Sequence, residues 1–356
     1  AYDTSNIEVR KVIDKGYEYY LYHDFMKRYF NGTIIGVSGT HGKTTTTLML
    51  TNLMQDYPIS AVIGDGTGIG KPDYQYFISE SCEYQNHFLK FDYEYLIINN
   101  IDFDHPDFYA NLNDVIASFK KATSKTKILV INGDDENCKQ IDHDNKYTFG
   151  LADSNFLAGR IIASDNKGYD LYVSVGGMEY YYRLPQLGIH MIYNFLGALT
   201  VYYLIGGNMN NINQKLSKYI QPKRRMEEHY FKDNIIIDDY AHHPKEINAC
   251  LSTVKLKYPH KKMIVIFEPH TYSRTLALAN EFKELFNDIK DFYLVNTFTS
   301  KRENYQKNKE KLVRKIFNNP RIFKHHQIKR LKKINNSVII FLGAGNIRKH
   351  IPELLS

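Results

Sequence analysis

The chain has 356 residues, 43% of them hydrophobic, and a formal net charge of +7, which allows two cores and excludes a strongly charged nucleic-acid binder. No stretch approaches the roughly 18 consecutive apolar residues that cross a bilayer, so membrane insertion is not expected. The N-terminus shows no leader pattern, and because it does not begin with Met, a truncated or processed start is compatible with it. The three cysteines, Cys82, Cys138 and Cys250, lack metal or disulfide spacing and are typical of the reducing cytoplasm.

Most of the excess positive charge lies between Lys301 and Lys333. Few aromatic residues are interleaved with these lysines and arginines, and base stacking would need them. We therefore interpret the stretch as a solvated helical face and expect no nucleic-acid partner. A monomer or weak dimer is expected.

Apolar, β-branched runs alternate with helix-length segments along the first half of the chain. This alternation predicts βαβ units and a mostly parallel sheet. The predicted strands are 33–37, 60–63, 76–80, 95–98 and 127–131. From about 156 to 184 the pattern changes to short alternating stretches, and 169–175 and 178–182 flank Gly176-Gly177, which predicts a hairpin. Residues 194–205 are predicted to form a buried helix.

A second α/β series begins near Ile220 and predicts another sheet. Its predicted strands are 235–237, 263–267, 292–295 and 338–342, and its predicted helices are 245–257, 276–288 and 306–317. Residues 222–225, Pro-Lys-Arg-Arg, form the expected hinge between the two series. The predicted fold class is therefore α/β, with a first unit built on a mostly parallel sheet that carries a P-loop-like turn and a second α/β unit after it.

The most informative segment is a glycine-rich turn between the strand 33–37 and a helix expected to start at Leu48. Backbone N–H groups of such a turn, the helix dipole and a lysine converge on one anion site, and a Thr hydroxyl there suits magnesium. The longer P-loop pattern would require glycine where this chain has Val37. The candidate phosphate-binding residues are Gly39, Thr40, His41, Gly42, Lys43, Thr44 and Thr45.

Polar clusters follow two later strands of the same predicted sheet. Glu80 ends the strand 76–80, and residues 99–107, which include Asn100 and His105, follow the strand 95–98. Carboxyl ends of parallel strands share one edge with the glycine-rich turn, so these groups are expected to lie near the phosphates. A carboxylate there suits magnesium, and His105 is either a second metal ligand or a structural hydrogen-bonding residue.

The predicted second sheet repeats this arrangement at three strand ends. The segments are 238–244 (DDYAHHP), 268–275 (EPHTYSRT) and 343–346 (GAGN). Arg274 has the fork geometry that binds a carboxylate or a phosphate, and the glycines allow close backbone approach. One such cluster could be an ordinary turn, but three at successive strand ends indicate a binding edge.

This ordered set of motifs resembles the Mur ligase family over nearly the whole chain. The motifs are GTHGKTTT, ESCEY, NIDFDHPD, KRR, DDYAHHP, PHTYSRT and GAG. The resemblance implies three units: residues 1–30 as the end of a UDP-sugar domain, 31–221 as a central ATP-binding domain, and 222–356 as a C-terminal Rossmann-like domain. The glycine-rich nucleotide loop of the family's first domain is absent from this chain.

The resemblance implies ATP- and Mg²⁺-dependent joining of L-alanine to UDP-N-acetylmuramate through an acyl phosphate, in peptidoglycan precursor synthesis in the cytoplasm. Two alternatives stay open: a murein tripeptide-recycling ligase, and a nucleotide-binding remnant without ligase turnover. A generic P-loop NTPase would end a strand in a Walker-B Asp, whereas these strand ends are rich in Glu, His and Asn.

By resemblance, each site residue has an expected role. Catalytic residues would be Lys43, His105, His242 and Arg274. The nucleotide would contact the turn residues 39–45 together with His190, Asn194, Arg225 and Asp239. The substrates would contact Asn100, Tyr240, His242, His270 and Arg274. Magnesium would bind Thr44, Glu80 and His105, with Glu83 secondary. Thr271 and Asn346 depart from the pattern of some relatives, and neither Lys120 nor Lys121 is expected to be carbamoylated.

Overall fold

The computed structural model describes residues 6–300, 303–318 and 320–356. Two β-sheets, each covered by helices, form the α/β architecture that the alternation of strands and helices predicts. Lys301 and Arg302, the start of the basic stretch, lie outside the described residues. No helix in the described ranges is both long and apolar enough to span a bilayer.

Ten strands form the larger sheet, in the order β10-β9-β8-β7-β6-β5-β1-β4-β2-β3. The seven strands from β8 to β2 in this order run parallel, and β3, β9 and β10 pair antiparallel. The strands are β1 Thr33–Ser38, β2 Ile59–Val62, β3 Gly68–Ile69, β4 Tyr76–Glu80, β5 Tyr95–Ile98, β6 Ile128–Asn132, β7 Lys146–Gly150, β8 Leu157–Asp165, β9 Gly168–Val175 and β10 Met178–Leu184.

Helices accompany this sheet. They are α1 Ile7–Asp14, α2 Tyr22–Tyr29, α3 Lys43–Leu53, α4 Leu112–Thr123, α5 Ile189–Leu204 and α6 Ile212–Leu216. All of them except the exposed α1 contribute buried side chains to the two faces of the sheet. Because side chains alternate along a strand, β5 places Leu96 and Ile98 in one core and Ile97 in the core on the opposite face. The sheet is therefore buried on both sides.

The smaller sheet has the order β11-β12-β16-β13-β14-β15, and only β11 runs antiparallel to its neighbour. Its strands are β11 Glu227–Phe231, β12 Asn234–Asp239, β13 Lys262–Phe267, β14 Phe292–Leu294, β15 Arg321–Ile322 and β16 Ser337–Leu342. Its helices are α7 Pro244–Lys257, α8 Tyr272–Ala277, α9 Ala279–Asn287, α10 Lys307–Ile316, α11 Ile328–Leu331 and α12 Ile351–Leu355.

The structure corrects several element boundaries. The helix after the glycine-rich turn begins at Lys43 and not at Leu48, because the threonines that disfavour a helix in isolation bond the preceding turn: Thr47 Oγ1 donates to the Lys43 carbonyl at 2.9 Å. The buried helix begins at Ile189, before the predicted 194. The predicted helix 276–288 is two helices, α8 and α9.

The two sheets meet through the segment that follows β5. Phe103 from this segment packs against a core of each sheet. The His243 ring, which caps α7 beside the smaller sheet, lies with Nε2 3.3 Å from the Phe103 carbonyl oxygen. The carboxyl edges of both sheets consequently face one shared gap.

Candidate active site

The glycine-rich turn connects β1 to α3 and ends at Gly42, the N-cap of α3. Gly42 has φ of +82°, and a Cβ there would lie 2.3 Å from Asn194 Oδ1, so only glycine fits. No side chain caps the helix. The first-turn N–H groups of α3 therefore keep their capacity to bind an anion.

The end of β5 holds the turn in place through a network of short hydrogen bonds. Asn100 Oδ1 accepts from the His41 backbone N–H at 2.8 Å, and Asn99 Nδ2 donates to Thr46 Oγ1 at 2.9 Å. The Asp102 N–H donates to Thr40 Oγ1 at 2.8 Å. The segment after β5 thus holds the turn in its conformation in the absence of a ligand.

Lys43 lies inside the turn and pairs with Glu83. Its Nζ donates to the Gly39 carbonyl at 2.6 Å and to the Thr40 carbonyl at 3.1 Å, and lies 3.0 Å from Glu83 Oε2. Burial disfavours the ammonium, but its acidic neighbours, Glu83 foremost, together outweigh burial and raise the pKa of Lys43. Lys43 is consequently a permanent cation, and Glu83 is a closer partner of it than the secondary rank from sequence indicated.

Glu80 ends β4 and lies beside the hydroxyl of Thr44, in the first turn of α3. Thr44 Oγ1 donates to Glu80 Oε2 at 2.8 Å, and the Gly64 N–H donates to the same oxygen at 3.0 Å. An alcohol and a carboxylate at this distance form an oxygen donor set of the kind that Mg²⁺ prefers. These residues therefore fit a magnesium ion.

His105 lies across the cavity from the turn, in a left-handed conformation with φ of +54°. Its Nε2 is 3.7 Å from Glu83 Oε1, while its Nδ1 is buried without a hydrogen-bond partner. Burial lowers the pKa of His105 and favours the neutral ring that metal coordination requires. A role as metal ligand is thus compatible with its position.

Arg274, from α8 of the smaller sheet, is bound to Asp104 of the larger one. Its Nε donates to Asp104 Oδ1 at 2.7 Å and its Nη2 to Oδ2 at 3.2 Å, while Nη1 lies 2.8 Å from His270 Nδ1. Despite its burial, Asp104 has a pKa well below its usual range because of the guanidinium. Such a bidentate pair orients both partners and leaves Arg274 few unpaired donors.

Glu246, in the first turn of α7, is the second ionic link between the sheets. Its carboxylate lies 3.6 Å from His41 Nδ1, 3.6 Å from Arg225 Nη1 and 3.4 Å from His242 Nδ1. These cations and dipoles hold the pKa of Glu246 well below its usual range despite burial. Glu246 is not among the residues predicted from the sequence, because a glutamate three residues after a helix N-cap is most simply interpreted as a capping residue.

Two adjoining cavities occupy the gap, and both are lined by His41, Gly42, Pro222, Arg225 and Glu246. The first cavity, of about 240 Å³, adds amide, imidazole and apolar side chains. Among the predicted residues it brings together Thr45, Asn100, His190, Asn194 and Asp239.

The second, which we term the charged cavity, has a volume of about 440 Å³. It brings together Thr40, Lys43, Thr44, Glu80, His105, Tyr240, His242 and Arg274. Gly39, Glu83 and His270 line neither cavity. Gly39 and Glu83 contact Lys43, and His270 contacts Arg274 and His242, which line the charged cavity. All other predicted site residues line this gap.

These features define an α/β protein with an anion-binding turn between two facing sheets. A family model described as the Mur ligase middle domain matches residues 37–202, and one described as the Mur ligase, glutamate ligase domain matches residues 224–345. The chain belongs to the Mur ligase family, whose members are ATP-dependent amide-forming ligases.

Solved structures share this fold at low identity. The UDP-N-acetylmuramate–alanine ligase MurC of Thermotoga maritima is 22% identical, with a TM-score of 0.78 over 99% of this chain and 82% of that one. A murein peptide ligase of Psychrobacter arcticus is 20% identical, with a TM-score of 0.72 over 99% and 83%. The MurF ligase of T. maritima, solved with ADP, is 16% identical, with a TM-score of 0.70 over 94% and 81%.

Replacing Asp104 with alanine is expected to destabilise the protein strongly, because it leaves Arg274 buried without a counter-charge. Removal of one partner from a buried pair typically costs about 3–5 kcal/mol. Urea denaturation measures the loss, and the double variant Asp104→Ala/Arg274→Met should lose less than the sum of both single variants. Glu136→Ala, which removes the exposed ion pair with Lys139, is the control. An equal loss in Asp104→Ala and Glu136→Ala would contradict the buried pair.

His41 is expected to make stability depend on pH. Its burial lowers its pKa, but Asp102 and Glu246 raise it more, from 6.5 to about 9, with a further contribution from Asp104; the His243 ring also faces it. Because the folded-state pKa is the higher one, the stabilisation is complete below about pH 6.5 and is lost as the pH rises to about 9.

The melting temperature of the wild type should therefore exceed that of His41→Gln most at pH 6, with the difference shrinking up to pH 9.5. Calorimetric scans of both proteins across this range measure it. A difference that stays constant from pH 6 to pH 9.5 would show that His41 carries no charge in the folded protein.

Proposed function

We propose that the chain joins L-alanine to UDP-N-acetylmuramate at the expense of ATP, in peptidoglycan precursor synthesis in the cytoplasm. In this reaction a carboxylate oxygen attacks the γ-phosphorus and ADP leaves. The amine nitrogen then attacks the acyl carbon, phosphate leaves, and the amine loses its proton. The observation that carries the proposal is the shared gap, in which an anion-binding turn of one sheet faces the polar strand ends of the other.

The first cavity supports a place for adenosine. Its amides and the His190 ring offer hydrogen bonds to a flat base, and burial, followed by Arg225, lowers the pKa of His190 to about 4, so the ring is neutral. Arg225 and Asp239 line the same cavity and are the proposed ribose and phosphate contacts, although both Asp239 oxygens also accept backbone N–H groups at 2.8 Å. The phosphates would then extend past Gly42 into the charged cavity.

In the charged cavity, Lys43 and the N–H groups of residues 39–45 are proposed to hold the β- and γ-phosphates. Phosphoryl transfer depends mostly on positioning and charge neutralisation, which this turn supplies. Thr44 and Glu80 would hold one magnesium ion and His105 a second, and magnesium when bound would neutralise phosphate charge. Tyr240, His242 and Asn100 stay proposed substrate contacts.

His270 and Arg274 are proposed to act together on the substrate side. Arg274 lines the charged cavity, but its bidentate bond to Asp104 means that any ligand must share it. We assign it mainly to holding the two sheets in register around the acid substrate. The boundaries 1–30, 31–221 and 222–356 are proposed as domains, with 222–225 as the hinge.

A murein tripeptide-recycling ligase is the second candidate, because a murein peptide ligase shares this fold. Phosphate release separates the two when UDP-N-acetylmuramate, ATP and magnesium are supplied with L-alanine, glycine, L-serine or the murein tripeptide in turn. The proposal expects release with L-alanine at the highest kcat/KM. Faster release with the tripeptide would favour recycling, and no release with any acceptor would leave only nucleotide binding.

Lys43→Ala is expected to lower kcat for phosphate release at least about 100-fold, since it removes the ammonium group from the turn. Circular dichroism confirms that the variant is folded, and Lys71→Ala, on an exposed loop, is the control. Phosphate release at the wild-type rate by Lys43→Ala would remove the turn from the mechanism.

Glu80→Gln is expected to raise the magnesium concentration for half-maximal activity at least about 10-fold, because the amide keeps the size of the side chain but loses its charge. Titration of activity with MgCl₂ at saturating ATP measures it. Glu94→Gln, just before β5, removes a carboxylate at the other end of the strands and should not change the titration. Superimposable curves for Glu80→Gln and wild type would exclude Glu80 as a ligand.

A further inference from the structure

The charged cavity contains more cations than the proposed chemistry at the glycine-rich turn accounts for. Its cationic side chains are Lys43, Lys223, Arg224, Arg225, Arg274 and Arg348, together with the His41 ring. Three of them pair with carboxylates around the turn and at the contact between the sheets: Lys43 with Glu83, Arg274 with Asp104, and Arg225 with Glu246. Glu246 also faces the rings of His41 and His242.

Arg224 and Arg348 differ, because they share a single carboxylate. Asp238 of β12 is fully buried, with Oδ1 3.6 Å from Arg224 Nε and Oδ2 3.5 Å from Arg348 Nε. Arg224 has a further acceptor in the Gly343 carbonyl oxygen. Two guanidinium groups on one carboxylate leave a net positive charge on the smaller-sheet side of the cavity.

Arg348 presents part of that charge to the charged cavity. It follows the glycines at the end of β16, in a short 3-10 helix Ile347–His350, and its side chain is about half exposed (49%). Among the described residues, Asp238 is the carboxylate within ion-pair distance of it, and this contact is made through Nε. Lys223 is also exposed, but it lies on the loop between the sheets and offers a point charge in place of a planar fork.

The position of Arg348 indicates what this fork would bind. Lys43, Thr44 and Glu80 belong to the larger sheet and suit the phosphates, whereas Arg348 belongs to the smaller sheet and lines the same cavity. An amino acid that attacks through a neutral amine still carries one negative charge on its α-carboxylate. A planar guanidinium matches a carboxylate with two parallel hydrogen bonds.

We propose that Arg348 binds the α-carboxylate of the incoming amino acid and so determines that the enzyme uses a free amino acid as its acceptor. This inference rests on the proposed function. Buried Asp238 holds the Nε of Arg348, and the remaining guanidinium donors bind the carboxylate oxygens. The amine of the bound amino acid is thereby directed towards the phosphate end of the cavity.

The test compares L-alanine with L-alaninamide, which has the same amine and side chain but no carboxylate charge. Wild type, Arg348→Met, Arg348→Lys and the control Lys349→Met are assayed by phosphate release with each acceptor. Lys349 is the exposed neighbour outside the cavity, so this control makes the same change in net charge.

Arg348→Met is expected to raise KM for L-alanine about 10- to 100-fold, with KM for ATP and for UDP-N-acetylmuramate unchanged and no effect on L-alaninamide. The KM of Arg348→Lys for L-alanine should lie between those of Arg348→Met and the wild type, and the KM of Lys349→Met should match that of the wild type. Equal losses on L-alanine and L-alaninamide, or a raised KM for ATP, would overturn the assignment, as would an unchanged KM for L-alanine.

Hydroxylamine separates failure of this inference from failure of the proposed function. It replaces the amino acid as nucleophile: its nitrogen attacks the acyl carbon, phosphate leaves and a hydroxamate forms. Arg348→Met should form hydroxamate at the wild-type rate. No hydroxamate from the wild type would refute the proposed ligase reaction itself.

If the wild type forms no hydroxamate, the role of Arg348 is still tested by binding alone. Equilibrium dialysis measures the binding of L-[¹⁴C]alanine in the presence of magnesium and the non-hydrolysable ATP analogue AMP-PNP. Binding by the wild type and Lys349→Met, but not by Arg348→Met, supports the subsite. Equal binding by all three proteins overturns it.

Discussion

The facing arrangement of the two sheets depends on opposite charges that are paired across the gap. Asp104 from the end of β5 binds Arg274 of α8 through two hydrogen bonds, and His41 of the glycine-rich turn faces Glu246 of α7. Charges buried this deeply are tolerated only when each has a partner, so separating the sheets would expose four groups at once. The paired charges therefore specify one closed relation between the sheets.

The pairing of charges also explains how several positively charged groups can lie close together at the glycine-rich turn. The uncapped N-terminus of α3 and Lys43 would repel a second cation nearby, yet His41 is protonated within the same turn. Glu83 and the carboxylates that face His41 balance these charges. An incoming triphosphate would compete with those carboxylates, and magnesium at Thr44 and Glu80 would lessen that competition.

The two sheets present different chemical groups to the shared gap. The larger sheet presents the turn amides, a lysine and an oxygen donor set, which suit phosphates and a hard cation. The smaller sheet presents guanidinium and imidazole groups, of which Arg348 has the least compensated charge. A reaction that needs an activated acid on one side and an amino acid on the other fits this asymmetry.

The sequence by itself determined the α/β class, the position of most strands along the chain and the strand ends that carry polar groups, because hydrophobic alternation and glycine placement are local properties. It also made candidates of Lys43, Glu80, His105 and Arg274, which lie at the end of a strand or at a turn and which line the charged cavity in the structure. It did not locate the start of α3, where threonines bond the preceding helical turn in a way that propensity does not anticipate. Only the tertiary structure decided which charges are paired: Glu83 with Lys43, Glu246 with His41, Asp104 with Arg274. Such pairs join residues 40 to about 200 positions apart, and their partners depend on how the strand ends come together in space, which no local pattern encodes.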